Sequence, residues 1–383
     1  MLEDSLYQHN NQSFWVNPPI QLCSRSPQSA WGTDGDVKNH LCVSQMKSKK
    51  MTGEKVLVAI VDGGIDRELL NKVCAESPIP LPPPRFYDYP KLPVHEKNNT
   101  QHGTMVAYDV LLAAPNCTFI DVPLPFYPDK TVSAASPMEA TLKDAYLAFE
   151  SLYDLMLDMK KNNIRELEGY KTLVITNSWA MYHPKEEHPI SSTHGKYSDN
   201  PQHPFNQLIH KMDCVGIDIL FAAGNCGEMN PDPRCAGQCN NIYGANSHPD
   251  VLTVAAATVL YDNDTKKNYR LAYSNKGDGL LKKTKPDVAG FAHFGVELSQ
   301  PIKGFNQIHA GTSTACAIMA GVVAAIRSLH PYSDPATQSP QQIRDIILKN
   351  TKYGAGPDKD WNIGTPSEYK IFDGKALIRY LFP

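Results

Sequence analysis

Three polar side chains of types suited to nucleophilic acyl chemistry occur in short glycine-bearing segments of this sequence. They are Asp62 in Ala59-Ile60-Val61-Asp62-Gly63-Gly64-Ile65-Asp66, His102 in Gln101-His102-Gly103-Thr104-Met105-Val106-Ala107, and Ser313 in Gly311-Thr312-Ser313-Thr314-Ala315. A serine hydroxyl is a poor nucleophile at neutral pH. It becomes a useful one when an imidazole takes its proton as it attacks a carbonyl and later returns that proton to the leaving amine. A carboxylate on the other ring nitrogen fixes the tautomer and stabilises the imidazolium. Each segment alone is a weak signal. An Asp after a strand is usually a turn or cap residue, and Gly-Thr-Ser is common in loops. It is the three together, each in a suitable local setting, that carry weight.

Those settings follow from apolar patterning. Val56 to Val61 is an unbroken apolar run with β-branched residues, as expected of a strand buried on both faces of a parallel sheet. Asp62-Gly63-Gly64 then forms a turn at the strand's carboxyl end, where open α/β sheets gather their chemistry. Further runs at Leu173–Thr176, Ile217–Ala223 and Val251–Ala255 predict more strands. Residues 316–329, small and apolar, predict a buried helix behind Ser313. Ser136-Pro137-Met138-Glu139 has the pattern of a capping box. With Leu142, Tyr146, Phe149, Tyr153, Met156 and Met159 after it, it predicts an amphipathic helix of about 25 residues. This alternation predicts a single α/β domain over residues 46–383. Residues 1–45, rich in Asn, Gln and Ser and interrupted by Pro18, Pro19, Pro27, Gly32 and Gly35, predict an extended arm without helix or strand. The arm is expected to be an inert wrapping, with an inhibitor lying over the cleft as the alternative. Residues 78–93 (Pro-rich) and 183–203 (with His183, His188, His194 and His203) are expected to be surface loops.

The Asp, His and Ser segments, in that chain order, resemble the three active-site motifs of the subtilisin family. Two further segments match. Phe221-Ala222-Ala223-Gly224-Asn225 resembles the strand end that carries the family's oxyanion-hole asparagine, and Thr176-Asn177-Ser178-Trp179-Ala180 resembles the strand that pairs with substrate backbone. Met51-Thr52-Gly53-Glu54-Lys55 and Lys285-Pro286-Asp287-Val288 extend the likeness to residues 45–330. The resemblance implies a three-layer α/β fold, with a mostly parallel central sheet and helices on both faces. It implies a serine endopeptidase acting through an acyl-enzyme, with Asp62, His102 and Ser313 catalytic. Asn225, together with the Ser313 N–H at a helix start, would form the oxyanion hole. Ser178, Trp179, Ala180, Gly224 and Gly311 would bind substrate, with no cofactor and no metal in the chemistry. Gly311 would admit substrate backbone, and Ala315 and Gly321 would let the following helix pack on the sheet. Two departures stand out. The family's Met-Ala-x-Pro-His after the serine is here Thr314-Ala315-Cys316-Ala317-Ile318, a change expected to alter packing alone. Ala180 replaces a usual glycine, and its methyl is expected to narrow the S1 wall. Family calcium ligands are not matched; Asp262-Asn263-Asp264 is a polar turn.

Bulk composition sets outer limits. The 383 residues are 42% hydrophobic and 20% charged with a net charge of -3, which suits a packed core and does not call for nucleic acid or an anionic membrane as partner. The expected partner is a peptide or protein substrate. No apolar stretch has the length of about 18 residues that a membrane span needs. Nine cysteines, an odd number, and an N-terminal stretch without a signal-peptide pattern predict reduced thiols. The expected location is cytoplasmic, or outside the cell by a route without a cleavable signal. Cys226, Cys235 and Cys239 are expected to be free thiols in a loop near the cleft, with a disulfide or a metal site as alternatives. Four N-x-S/T sequons, Asn98 and Asn116 among them, are expected to be chance. The 61 residues before Asp62 are expected to leave no space for the family's usual folding propeptide, so either the enzyme folds without one or the chain is already mature. Two other functions are compatible with the same motifs: a peptide macrocyclase in which an amine captures the acyl-enzyme, and a binding scaffold that has lost activity.

Overall fold

The computed structural model describes residues 6–9, 13–23, 25, 29–93, 101–128, 138–187, 195–228, 231–235, 240–260, 268–354 and 370–383. The chain opens with a hairpin of β1 (Leu6–His9) and β2 (Ser13–Val16), followed by β3 (Pro19–Leu22) and helices α1 (Asp34–Leu41) and α2 (Val43–Ser48). Next come β4 (Val56–Asp62), α3 (Arg67–Glu76), β5 (Arg85–Phe86), α4 (His102–Leu111), β6 (Thr118–Pro123), β7 (Tyr127–Pro128), β8 (Met138–Thr141) and α5 (Leu142–Lys160). The middle of the chain forms β9 (Thr172–Asn177), β10 (Trp179–Ala180), α6 (Pro204–Cys214), β11 (Asp218–Ala222) and β12 (Leu252–Thr258). It ends with β13 (Val288–Ala292), β14 (Phe294–Gly295), β15 (Ile308–His309), α7 (Thr312–Arg327), α8 (Pro340–Lys349), β16 (Thr351–Tyr353), β17 (Lys370–Phe372) and α9 (Gly374–Leu381).

Among the described residues, nine strands form one sheet in the order β16-β17-β13-β12-β11-β9-β4-β6-β5. Every pairing in it is parallel except β16 with β17. The apolar run at Val56 explains the middle of this sheet. Val56, Val58 and Ile60 enter one hydrophobic cluster while Leu57, Ala59 and Val61 enter another, as the two-residue period of a strand requires. The first cluster is covered by α3, α4, α7 and α8, the second by α5 and α6, giving three layers. From β4 the order runs outward to β6 and β5 on one side and to β9 on the other. The sheet therefore changes winding direction at β4, and Asp62 stands at the carboxyl end of that strand.

Helix α7 is buried along its whole length. Small residues permit this. A methyl on Gly290 of β13 would come within 2.7 Å of the Ala315 carbonyl oxygen, so Ala315 does face the sheet. Gly321 instead faces α4, where an added Cβ would collide with the Val110 carbonyl, so its expected packing on the sheet is corrected. The far end of α7 is held by Arg327, whose Nε and Nη2 donate to Asp218 of β11 at 2.6 and 2.9 Å, and whose Nη1 donates to the Tyr332 and Gln338 carbonyls. This buried bidentate pair fixes the helix that carries Ser313 at its other end.

Four expectations are corrected. Residues 1–45 contain regular structure: Thr33 caps α1 with a capping box to Asp36, and Pro19–Leu22 is a strand. Helix α5 begins at Leu142 and spans 19 residues, capped by Thr141 with Asp144. Met138–Thr141 is drawn into strand β8 by pairing with Pro19–Gln21, and Ser136 and Pro137 lie outside the described residues. His183 and His203 are buried rather than solvated. His203 caps α6, its Nδ1 accepting from Phe205 N–H and its Nε2 donating to the Val16 carbonyl at 3.1 Å. Cys226 and Cys235 form a disulfide, so the expectation of uniformly reduced thiols fails there. Cys239, His188, His194, Asn98 and Asp262-Asn263-Asp264 lie outside the described residues. In the Pro-rich 78–93 segment, Arg85–Phe86 is a short edge strand and the rest is irregular. No described helix is long and apolar enough to cross a membrane.

Candidate active site

Asp62, fully buried at the end of β4, accepts the Gly63 N–H at 2.7 Å through Oδ1. The turn beyond it is pinned twice: the Asp121 carboxylate accepts from Ile65 N–H, and Thr104 Oγ1 accepts from Asp66 N–H at 2.9 Å. His102 opens α4 after Gln101, whose φ of 56° turns the chain sharply into the helix. Its Nδ1 lies 2.9 Å from both Asp62 oxygens. A carboxylate can only accept, so Nδ1 carries the proton, and in the neutral ring Nε2 is left with a lone pair. That Nε2 is buried and has no hydrogen-bond partner among the described residues.

Ser313 is the second residue of α7. The chain enters this helix through Gly311 at φ +98°, a conformation that disfavours other residues. A methyl built on Gly311 would lie 3.1 Å from Ser313 Oγ, 3.4 Å from Asn225 Nδ2 and 2.6 Å from the carbonyl oxygen of Cys23, so these groups converge on one small volume. Asn225 Nδ2 donates to that Cys23 oxygen at 2.9 Å. Its amide is held the right way round by Thr312, whose N–H and hydroxyl donate to Asn225 Oδ1 at 3.0 and 3.1 Å. Thr312 Oγ1 in turn accepts from Gly224 N–H at 3.1 Å. Ser313 Oγ itself is 3.5 Å from the Ala310 carbonyl.

The cleft is filled by the chain's own N-terminal segment. Strand β3 pairs antiparallel with β10, Leu22 opposite Trp179 and Gln21 opposite Ala180, and Cys23 N–H donates to the Ser178 carbonyl at 2.7 Å. On its other side β3 pairs antiparallel with β8, Ile20 opposite Ala140. The arm therefore enters the cleft, and the expectation of an inert wrapping is corrected. Ser178, Trp179 and Ala180 meet it through their backbone. The Trp179 ring packs away from it against Phe149, Phe205 and Phe221. Two residues beyond Cys23, the Arg25 guanidinium lies 4.7 Å from the centre of the Tyr273 ring. The Tyr273 hydroxyl accepts from Gly311 N–H at 3.0 Å.

Several contributors carry no motif. Arg234 Nη1 donates to the Leu22 carbonyl at 3.0 Å, and Tyr182 OH donates to the same oxygen at 3.3 Å. Arg234 is aimed by Asp232, which accepts from its Nε and Nη2 at 2.8 and 2.7 Å, and by stacking 4.0 Å over Tyr182. The adjacent Cys226–Cys235 disulfide tethers this loop. Arg234 holds the Asp232 carboxyl below its ordinary pKa, although burial pushes the other way. Between Ala180, Tyr182, Gly224, Cys226 and Asn246 lies a cavity of only about 10 Å³, room for one water at most. A second buried pair lies nearby: His309 Nδ1 and Asp109 Oδ1 are 2.6 Å apart, both fully buried. Burial raises the Asp109 pKa, and His309 partly offsets this. A lone Asp inside the apolar run of α4 was the available signal, since such a residue needs a buried partner.

The family model described as the subtilase family matches residues 53–365. No curated protein matches the chain. Among solved structures, the prenylagaramide maturation protease PagA superposes with a TM-score of 0.53 at 19% identity, covering 88% of this chain and 98% of that one. Sphericase superposes at 0.50 and 16% identity, covering 85% and 90%. A protein titled S41 psychrophilic protease superposes at 0.50 and 17%, covering 78% and 84%. At such identities the superpositions speak for the shared fold alone, whereas the family match spans most of the sequence. This chain belongs to the subtilase family and is a subtilisin-like serine peptidase.

Proposed function

We propose that the protein is an endopeptidase that binds extended peptide between β10 and β8 and cuts it through an acyl-enzyme on Ser313. His102 Nε2 takes the hydroxyl proton as Ser313 Oγ attacks the carbonyl. Asp62 holds the ring with Nδ1 protonated and stabilises the imidazolium that forms. The oxygen that becomes negative is met by Asn225 Nδ2, with the amino-terminal end of α7 adding its dipole. His102 then returns the proton to the leaving amine, and water repeats the sequence on the ester.

The observation that carries this reading is the carbonyl of Cys23. It accepts from Asn225 Nδ2 at 2.9 Å beside Ser313 Oγ, with its own N–H bonded to Ser178. Strand β3 lies in the cleft on the amino side of that carbonyl, and Arg25, two residues further on, sits over Tyr273 beside Gly311, so the carbonyl belongs to an internal residue, which supports internal cleavage over removal of terminal residues. Hydrolysis of a peptide library in ¹⁸O-water tests it. The reading expects linear products whose new carboxylates carry the label, and a loss of roughly 10⁴-fold or more in kcat for Ser313→Ala. Cyclic, unlabelled products would instead mean that an amine captures the acyl group. Unchanged turnover in Ser313→Ala would remove Ser313 from the chemistry.

A further inference from the structure

Helix α4 carries two polar side chains of consequence on one face. His102 opens it, and Asp109 follows two turns later, about 10 Å along the axis. Asp109 is the only charged residue in the run 105–111 and is fully buried. Its partner is His309, also fully buried, whose Nδ1 lies 2.6 Å from Asp109 Oδ1. His309 closes β15, just ahead of the turn that leads to Ser313. The rings of Tyr108, Phe294 and Phe305 surround it, with centroids 5.7, 5.7 and 5.3 Å away. Its Nε2 has no hydrogen-bond partner among the described residues.

Stability alone does not call for a carboxylate and an imidazole here. Replacing both members of a buried polar pair by apolar groups of similar shape is often neutral or stabilising. What the pair supplies is direction. Packed apolar faces can slide past one another, whereas a 2.6 Å hydrogen bond between two buried groups fixes one separation.

That separation joins the two halves of the catalytic machinery. Asp109 is rigid with His102 through α4. His309 leads into Ala310, whose carbonyl lies 3.5 Å from Ser313 Oγ and 3.4 Å from Thr314 Oγ1, and then into the Gly311 turn and Thr312, which holds Asn225. Further along, α4 and α7 meet at backbone level, where Gly321 admits the Val110 carbonyl. Burial pushes the Asp109 pKa up, while His309, the Thr314 hydroxyl and the charge of His102 push it down, which places these groups in one neighbourhood. His102 Nε2 has no partner among the described residues, and Ser313 Oγ lies against the Ala310 carbonyl instead. Base and nucleophile are not bonded to each other in this state. A relative shift of about 1 Å between α4 and the nucleophile turn therefore decides whether the proton can be passed, and such a misplacement costs roughly 100-fold in rate.

We propose that Asp109 and His309 are positioning residues for peptide hydrolysis: their hydrogen bond ties the helix of the base to the strand that delivers the nucleophile, and so sets the approach of His102 Nε2 to Ser313 Oγ. The proposal rests on the assignment of Ser313 as nucleophile and His102 as base made above.

The test compares Asp109→Leu, His309→Phe, His309→Asn and the double variant Asp109→Leu/His309→Phe with the wild type and Ser313→Ala. Active sites are titrated with a fluorophosphonate, kcat and KM are measured on a chromogenic amide of Pro-Ile-Gln-Leu-Cys, and each protein is unfolded in urea. Leucine and phenylalanine keep the shapes of the groups they replace without the hydrogen bond, whereas the Asn amide can donate from where Nδ1 stood. Asp109→Leu and His309→Phe each strand a buried polar group and should unfold at lower urea. The double variant should unfold at the wild-type urea concentration or above it, yet keep a kcat per active site about 100-fold down with KM within about threefold of wild type. His309→Asn should return kcat to within about tenfold of wild type. A double variant that regains wild-type kcat along with stability makes the pair a packing feature and overturns the proposal, as does a rise in KM with kcat unchanged. Should the double variant not fold, His309→Asn against His309→Phe decides, and equal kcat in the two overturns the proposal. Turnover that survives in Ser313→Ala overturns the assignment of the nucleophile instead, so the two failures are told apart.

Discussion

Replacing Asn225 by alanine should separate transition-state stabilisation from substrate binding. The side chain does two things. Its Nδ2 donates to the carbonyl in the cleft at 2.9 Å, and its Oδ1 accepts from the N–H and hydroxyl of Thr312 at 3.0 and 3.1 Å. The first bond strengthens as that oxygen becomes negative, so its loss falls on kcat and not on KM. In a subtilisin the loss of one such donor costs roughly 100- to 1000-fold in turnover, about 3–4 kcal/mol, and the same range is expected here. The second function is structural. Alanine leaves the buried Thr312 N–H without its acceptor, at about 1–3 kcal/mol of folding stability. Asn225→Asp keeps the acceptor for Thr312 but sets a negative charge against the developing oxyanion. It should therefore be nearer wild type in stability and lower still in kcat. Steady-state kinetics on a peptide in which Pro-Ile-Gln-Leu-Cys is followed by a chromogenic amide leaving group, with urea unfolding of each variant, measures both effects. A kcat within threefold of wild type, or a rise in KM alone, would refute the role given to Asn225.

Three further outcomes are expected. Gly311→Ala puts a methyl 2.6 Å from the bound carbonyl oxygen at a φ of +98°, so kcat should fall by roughly 100-fold or more through misplacement, with about 1 kcal/mol lost in stability; peptide kinetics and urea titration check this. Arg327→Leu strands the buried Asp218 carboxylate, and a loss of about 3–5 kcal/mol in unfolding free energy is expected, with kcat of the folded fraction little changed. His248 is buried beside Asp250, with His210, Lys285 and Arg344 around it, and burial depresses its pKa from 6.5 to about 4. Its Nδ1 accepts the Asp250 N–H at 3.1 Å, a bond that protonation there would break. The folded state thus holds the ring neutral. The stability this represents is complete above pH 6.5 and is lost as pH falls from there toward 4. Urea unfolding at pH 7 and pH 5 should show a smaller acid-side loss for His248→Gln.

Much of the site was legible because its parts are local. Val56–Val61 declares a strand buried on both faces through its unbroken apolar run, and the turn that follows delivers Asp62 to the crevice. The small residues after Ser313 are those of a helix that must pass between α4 and the sheet. What stayed hidden depends on partners far away in sequence. Met138–Thr141 reads as the start of a helix because Ser136 to Glu139 fits a capping box as well as Thr141 to Asp144 does. Pairing with Pro19–Gln21 decides between the two, and nothing near residue 138 announces it. Strand β3 looks like loop because Pro18, Pro19 and Gln21 are poor strand formers. A substrate-like strand is held by its backbone, and its binding leaves little trace in side-chain pattern. Cys226 and Cys235 could be counted but not paired from spacing. Arg234 carries no motif, since it acts on one carbonyl and is aimed by Asp232 and Tyr182.

The central claim is that Ser313 is an activated nucleophile whose cleft the N-terminal segment occupies. Labelling with a fluorophosphonate followed by peptide mapping tests it most directly, on the wild type, Cys23→Pro and Ser313→Ala. The account predicts a single adduct on the peptide bearing Ser313, formed faster in Cys23→Pro, which lacks the N–H given to Ser178, than in the wild type, and absent from Ser313→Ala. An adduct that persists in Ser313→Ala, or a folded Cys23→Pro protein that takes no label, would contradict it.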